Sequence, residues 1–283
     1  MKRIFLLSAL MAVIAALAVS CAKSEEDLYK PKCRIEKITE SDGDVTTFVY
    51  DKKTLTKMVD ANGNYVTLQY NKDKTVNEMT GYRKDGTLTG EVAKMSYTKG
   101  KIVLLELYEN KELIEKYEFI RSGNHFSKIK VYKNLELRDQ KEGEKSLITK
   151  IFACNPMTEM MAKVIDEKGV TFQYDMDITY TGDNITRVSR EQMIEGGTMK
   201  ISIDMTYDSY HNPYYGLPFA FEETSSYSAN NVLTLVKSYS FLDGNVIKEE
   251  STYKYTYNNQ DFPTEIQETD EGITDVTSIQ YIE

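Results

Sequence analysis

Apolar and polar residues alternate in short runs along this chain, and the runs are separated by Gly, Asn and Asp. In KISIDMTY, Ile201, Ile203, Met205 and Tyr207 share one face, while Ser202, Asp204 and Thr206 share the other. In TYKYTY, Tyr253, Tyr255 and Tyr257 oppose Thr252, Lys254 and Thr256, and VTLQY at 66 and AKMSY at 93 agree. Side chains alternate across a strand, so this period of two predicts strands covered on one face only. Residues 101–120 (KIVLLELYENKELIEKYEFI) are rich in helix formers, but their apolar positions run almost continuously before YENKE reads as a turn. Two strands are predicted there. Residues 153–169 are expected to open a short helix, with Pro156 at its first position.

The turns recur. A Tyr (or Phe) is followed by a short Asp/Asn/Thr/Gly segment, an apolar residue about five later, and another about three beyond that. The unit reads VYDKKTLTKM at 49, QYNKDKTVNEM at 69, SYTKGKIVLL at 96, EFIRSGNHFSKI at 118, TYTGDNITRV at 179, TYDSYHNPYYGL at 206, SFLDGNVIKE at 240 and TYNNQDFPTEI at 256. Between these lie second turns: SDGD at 41, ANGN at 61, KDGT at 84, EGG at 195 and DEG at 270. Asn-Gly and Asp-Gly accept the positive φ that tight hairpins demand. Connections this short make sequence neighbours spatial neighbours, with about sixteen strands in all. The expected fold is all-β: a large antiparallel up-and-down meander of hairpins, closed or nearly closed into a barrel-like, water-soluble sheet.

The first residues are of a different kind. Lys2 and Arg3 precede an apolar run from Ile4 to Val19, the form of a secretory signal. Ala18, Val19, Ser20 and Cys21 resemble the lipobox of bacterial lipoproteins, with Ala18 where Leu is commoner. The resemblance implies that Cys21 is lipidated and becomes the new N-terminus. Acyl chains on one residue hold a soluble domain to a membrane at about 0.8 kcal/mol per buried CH₂. AKSEED, residues 22–27, is similar to the Lys-plus-acidic export tag of Bacteroidetes surface lipoproteins. The expected organisation is a signal peptide (1–20), a lipidated cysteine with an acidic tether (21–32) and one repeat-built β domain (33–283).

The aromatic-Tyr-Asp units themselves resemble the tyrosine-aspartate repeats of large toxin-shell proteins. With Cys21, the acidic tag, MTYDSYHNPYYGLPFAF at 205, YSANNVLTL at 227 and YTYNNQDFPTEI at 255, the chain resembles a family of uncharacterised Bacteroidetes lipoproteins with a porin-like domain. That resemblance implies a large antiparallel barrel and no catalytic residue.

Forty-four Asp plus Glu against 35 Lys plus Arg give a net charge of −9, which disfavours nucleic acid and anionic lipid as partners. A membrane barrel needs an outward apolar band; here the second strand face carries Lys, Asp, Glu and Thr, and the mean hydropathy is −0.48. The aromatic face is therefore expected inside and the charged face in water. Cys33 and Cys154 are the thiols beyond Cys21, far apart in sequence, either a disulfide or inert fillers. His125 and His211 both fall in turns without a nucleophile motif. Acidic pairs for glycoside hydrolysis cannot be singled out among so many carboxylates. The DANGN and DEKG turns lack a calcium-loop spacing, so no metal and no cofactor is expected.

The 21 tyrosines, with no Trp, suit either a wide sheet interior or stacking on a ligand. HNPYYGLPFAF gathers Tyr214, Tyr215, Phe219 and Phe221 between two prolines. These are the candidate ligand-binding residues, and a plug packing the barrel end is the structural alternative. The expected function is a lipid-anchored outer-membrane protein at the cell surface, or on the periplasmic face, with a non-catalytic binding or scaffolding role toward a glycan or envelope protein. A glycan-acting hydrolase, or a carrier of an apolar ligand inside the barrel, is the alternative.

Overall fold

A computed structural model describes residues 33–133, 173–194, 197–215 and 227–282. They form sixteen strands: β1 Arg34–Thr39, β2 Val45–Asp51, β3 Thr54–Val59, β4 Tyr65–Tyr70, β5 Val76–Tyr82, β6 Leu88–Thr98, β7 Lys101–Glu109, β8 Glu112–Ser122, β9 His125–Lys133, β10 Gln173–Thr181, β11 Asn184–Ile194, β12 Gly197–Tyr207, β13 Val232–Ser240, β14 Val246–Tyr257, β15 Pro263–Asp270 and β16 Ile273–Ile282. Each pairs antiparallel with its sequence neighbours, and β1 pairs with β16, so the barrel is closed. The ambiguous segment at 101–120 is two strands, turning at Asn110 and Lys111 with φ of 50° and 74°. The expected helix at 153–169 lies outside the described residues.

In an up-and-down barrel, even-to-odd connections gather at one end and odd-to-even connections at the other. Seven of the eight Tyr/Phe units occupy the even-to-odd connections, here termed the repeat end. SFLDGN is the exception, because it joins β13 to β14 at the far end. There the Phe241 N–H donates to the Asn245 carbonyl (2.9 Å) and the Gly244 N–H to the Phe241 carbonyl (3.1 Å), as Glu40 and Gly43 do in the SDGD turn. Both turn types need one residue at positive φ, so their local chemistry overlaps.

The spacing of three in the unit is a β-bulge. Residues three apart on a regular strand point to opposite faces; yet Leu55 and Met58, Val76 and Met79, Ile102 and Leu105, Phe126 and Ile129, and Ile185 and Val188 are all buried. One extra residue lies between the members of each pair, skipped by the pairing register. It reverses the phase and lets both apolar side chains face inward. Where the extra residue is Thr56, Ser127, Thr186 or Thr264, its hydroxyl donates to a carbonyl on the adjacent strand at 3.1 to 3.4 Å. The seam between β16 and β1 has the same form, with Tyr281 opposite Ile35 and Glu36 skipped.

Seven of the eight bulges at this end stand beside a tyrosine of the even strand; between β8 and β9 its place is taken by Arg121, opposite Phe126. Tyr50 donates to the Ile35 carbonyl (2.9 Å), Tyr70 to Leu55 (2.5 Å), Tyr255 to Val232 (2.6 Å) and Tyr281 to Pro263 (2.6 Å), and Tyr207 donates to Ile185. Every such strut runs back to the start of the preceding odd strand. Each contributes about 1 kcal/mol, more if its loss orphans the carbonyl. Burial pushes the Tyr207 phenol up from 10.0 to about 12 and raises Tyr70, Tyr255 and Tyr281 further. The folded state thus holds these protons more tightly than the unfolded chain. Their contribution is complete below pH 10 and is lost as pH rises through the folded values. Alkaline titration followed at 295 nm is expected to show a late group of tyrosines ionising together with loss of the β signal in circular dichroism; independent, reversible ionisation near pH 10 would contradict the struts.

The core is a single apolar cluster to which every strand contributes, with Met58, Val66, Met79, Ala93, Val131 and Ile185 at 0% exposure. A round barrel of sixteen strands leaves a water-filled lumen. Near-zero exposure of these side chains shows instead an interior packed like that of an ordinary protein, not an open channel. Outward positions carry charge ladders: Glu78, Lys94, Glu106 and Lys116 are successive cross-strand partners, as are Glu118, Lys130 and Asp175. A Lys at a bilayer midplane costs about 2–4 kcal/mol, so this wall faces water. The tyrosines do not all turn inward, however. Tyr65 and Tyr82 stack on the outer face (centroids 5.0 Å), and Lys57 and Lys116 lie over Tyr65 and Tyr132 at 3.8 and 4.0 Å.

Candidate functional site

At the repeat end, the described parts of the connection from β12 to β13, residues 208–215 and 227–231, pack against neighbouring turns. Asp208 anchors its two ends: one carboxylate oxygen accepts the backbone N–H of Tyr210 (3.0 Å) and of Asn231 (3.1 Å), the other accepts Asn231 Nδ2 (3.0 Å) and the Tyr257 hydroxyl. The segment is also tied to neighbouring turns. His211 N–H donates to the Asp261 carbonyl (3.1 Å), Ala229 N–H to the Asp183 carbonyl (3.1 Å), and Asn184 Nδ2 to Asn230 Oδ1 (2.9 Å). Tyr214 belongs to the core cluster, and Tyr227 packs edge-on to Phe126 at 4.8 Å. These two stretches thus act as a plug over this end of the core.

Of the candidate binding residues, Tyr214 is a buried part of this plug and Tyr215, next to it, is half-buried. Phe219 and Phe221 lie outside the described residues, as does Cys21. His125 stacks on Tyr180 at 4.3 Å with Nε2 3.2 Å from Asp183 Oδ1, and His211 leans on Phe262 at 5.0 Å. Both contacts tie one turn to the next. Cys33 is a free, buried thiol that donates to Gln260 Oε1 (2.8 Å), while Cys154 lies outside the described residues. No cluster of three or more His, Cys, Asp or Glu among the described residues is placed to hold a metal.

The other end of the interior is polar. Past Val188, the inward positions of β11 are Arg190, opposite Ile201, and Gln192, opposite Met199. On β13, past Leu235, they are Lys237 and Tyr239, opposite Ile203 and Ile201. Glu249 of β14 stands opposite Lys237. The Arg190 guanidinium lies over the Tyr174 ring at 4.5 Å, and burial lowers its pKa. Lys237 is 3% exposed, its Nζ 3.6 Å from Glu249 Oε2, to which the Tyr239 hydroxyl donates at 3.3 Å. Burial, with the Glu249 charge adding to it, pushes Tyr239 up to about 12. Ile247, opposite Tyr239 on the same inner face, is 55% exposed, so solvent enters here. Turn motifs do not mark this cluster; its sequence signal is a charged or amide residue in the inward phase of NITRVSREQMI and VLTLVKSYS.

No family model matches the chain, and no curated protein sequence matches it. Solved structures do resemble it. A porin-like protein from Bacteroides vulgatus aligns at a TM-score of 0.53 and 9% identity, over 89% of this chain and 99% of that one. A porin-like protein from Bacteroides uniformis aligns at 0.49 and 13% identity, over 88% and 96%. The first likeness shows a shared fold: the closed antiparallel barrel is a porin-like architecture, reached here with an apolar interior.

Proposed function

We propose that this protein is a lipid-anchored envelope protein that binds its ligand without transforming it. The observation that carries the proposal is the polarity of the wall. A barrel with its apolar side chains inside and its charge ladders outside stays in water, so any membrane attachment must come from elsewhere in the chain. The Ala18–Val19–Ser20–Cys21 segment offers that attachment, and the porin-like neighbour from Bacteroides vulgatus fits an envelope setting.

Cells expressing the protein and fed labelled palmitate are expected to incorporate label into the wild-type chain and none into Cys21→Ser, which moves from the membrane to the soluble fraction. Label that persists in the variant, or a variant that stays in the membrane, overturns the anchor. Protease added to intact cells tests the surface location, because protection until the outer membrane is permeabilised assigns the protein to the periplasmic face.

A further inference from the structure

The polar end of the interior contains an unmatched cation. Arg190 is turned inward with one guanidinium face against Tyr174, and among the described residues no carboxylate pairs with it. Lys237, by contrast, has Glu249. Among the inward cations of β11 to β14, Arg190 is therefore the one without a carboxylate; the inward carboxylates of β15 are Glu268, which accepts the Tyr253 hydroxyl at 2.7 Å, and Asp270, opposite Ser251. Two residues along the same face, Gln192 Oε1 is buried without a hydrogen-bond partner. Side chains at i and i+2 stand about 7 Å apart along a strand, with Tyr239 on the strand beyond. Natural folds rarely leave a buried guanidinium and a buried amide oxygen unanswered side by side.

We propose that this recess binds an acidic sugar: Arg190 takes its carboxylate and Gln192 accepts a hydroxyl. One unpaired guanidinium calls for one carboxylate on the ligand. The guanidinium fork, free at its edge while its face is stacked, matches a carboxylate bidentately. The amide oxygen, an acceptor only, requires a donor on the same ligand, and an aromatic flank suits a sugar ring. The exposed, inward-facing Ile247 marks the approach. This inference rests on the binding reading above and names its ligand class.

The test is titration calorimetry on the full chain in detergent micelles, with glucuronate, glucose and inorganic phosphate as probes. Glucuronate is expected to bind at least tenfold more tightly than glucose, and Arg190→Met to weaken it at least tenfold with the melting temperature unchanged or raised. Gln192→Glu gives Arg190 an internal partner, and it is expected to abolish binding while raising the melting temperature. That variant keeps the test open if Arg190→Met fails to fold. No glucuronate binding, equal binding by the variants, or binding of phosphate alone overturns the proposal. None of these outcomes touches the palmitate result, so failure of the ligand and failure of the anchor are distinguishable.

Discussion

Leu105→Lys is expected to abolish cooperative folding, whereas Leu104→Lys, one residue earlier on β7, is expected to leave the barrel intact. Leu105 is 1% exposed and sits between Met95 and Tyr117 on the inner face. Removing its side chain costs about 2–5 kcal/mol, and an unpaired ammonium in its place adds several more. Total stability of a domain is only about 5–15 kcal/mol. Leu104 faces outward between Ser96 and Glu118. A lysine there joins an existing charge ladder and changes stability by about 1 kcal/mol or less. Thermal melts followed by circular dichroism decide the matter. Equal effects, or a worse effect at 104, would mean that the wall is inverted and the barrel belongs in lipid.

Asp208→Ala is expected to cost about 3 kcal/mol, because it removes the acceptor of four hydrogen bonds and leaves the donors of Asn231, itself 4% exposed, without their carboxylate. For a domain of this size that is a fall of roughly 6–12 °C in melting temperature. Tyr257 supplies an independent readout. Its phenol is raised by burial and by the Asp208 carboxylate that accepts its proton, so the substitution is expected to lower the pH at which it ionises. Asp208→Asn keeps an acceptor oxygen and is expected to lose less. A cost below 1 kcal/mol for Asp208→Ala, with Tyr257 titrating unchanged, would rule out the carboxylate as the anchor of the plug.

Much of this fold is legible in the sequence because strand and turn signals are local. Period two in KISIDMTY reports a half-covered strand wherever it pairs, and Asp-Gly reports a hairpin whichever neighbour follows. Other features depend on partners distant in sequence. The spacing from Leu55 to Met58 is visible in the chain, but its meaning as a bulge depends on the register against Tyr50. SFLDGN imitates the repeat turns because positive φ is a demand of both barrel ends. Tyr65 and Tyr82 face outward because the pleat at Met58 and Val66 fixes their phase, not because of their own chemistry.

The candidate site was read less completely. The NPYYGLP loop stands out by composition, and the described part of it, through Tyr215, packs against the barrel end with Tyr214 in the core. Arg190, Gln192 and Lys237 carry no motif and are separated by an intervening strand, so only the closed wall brings them into one recess.

The seam between β1 and β16 also governs how the chain must assemble. Fifteen of the sixteen junctions link strands adjacent in sequence and can form in order as the polypeptide emerges. The last cannot. Until the C-terminal strand arrives, both borders of the growing sheet present bare N–H and C=O groups to any passing strand, and this one contact carries nearly the longest loop closure the chain permits. A protein built this way spends its final moments of folding as an open ribbon, dependent on whatever shields those borders until the seam closes.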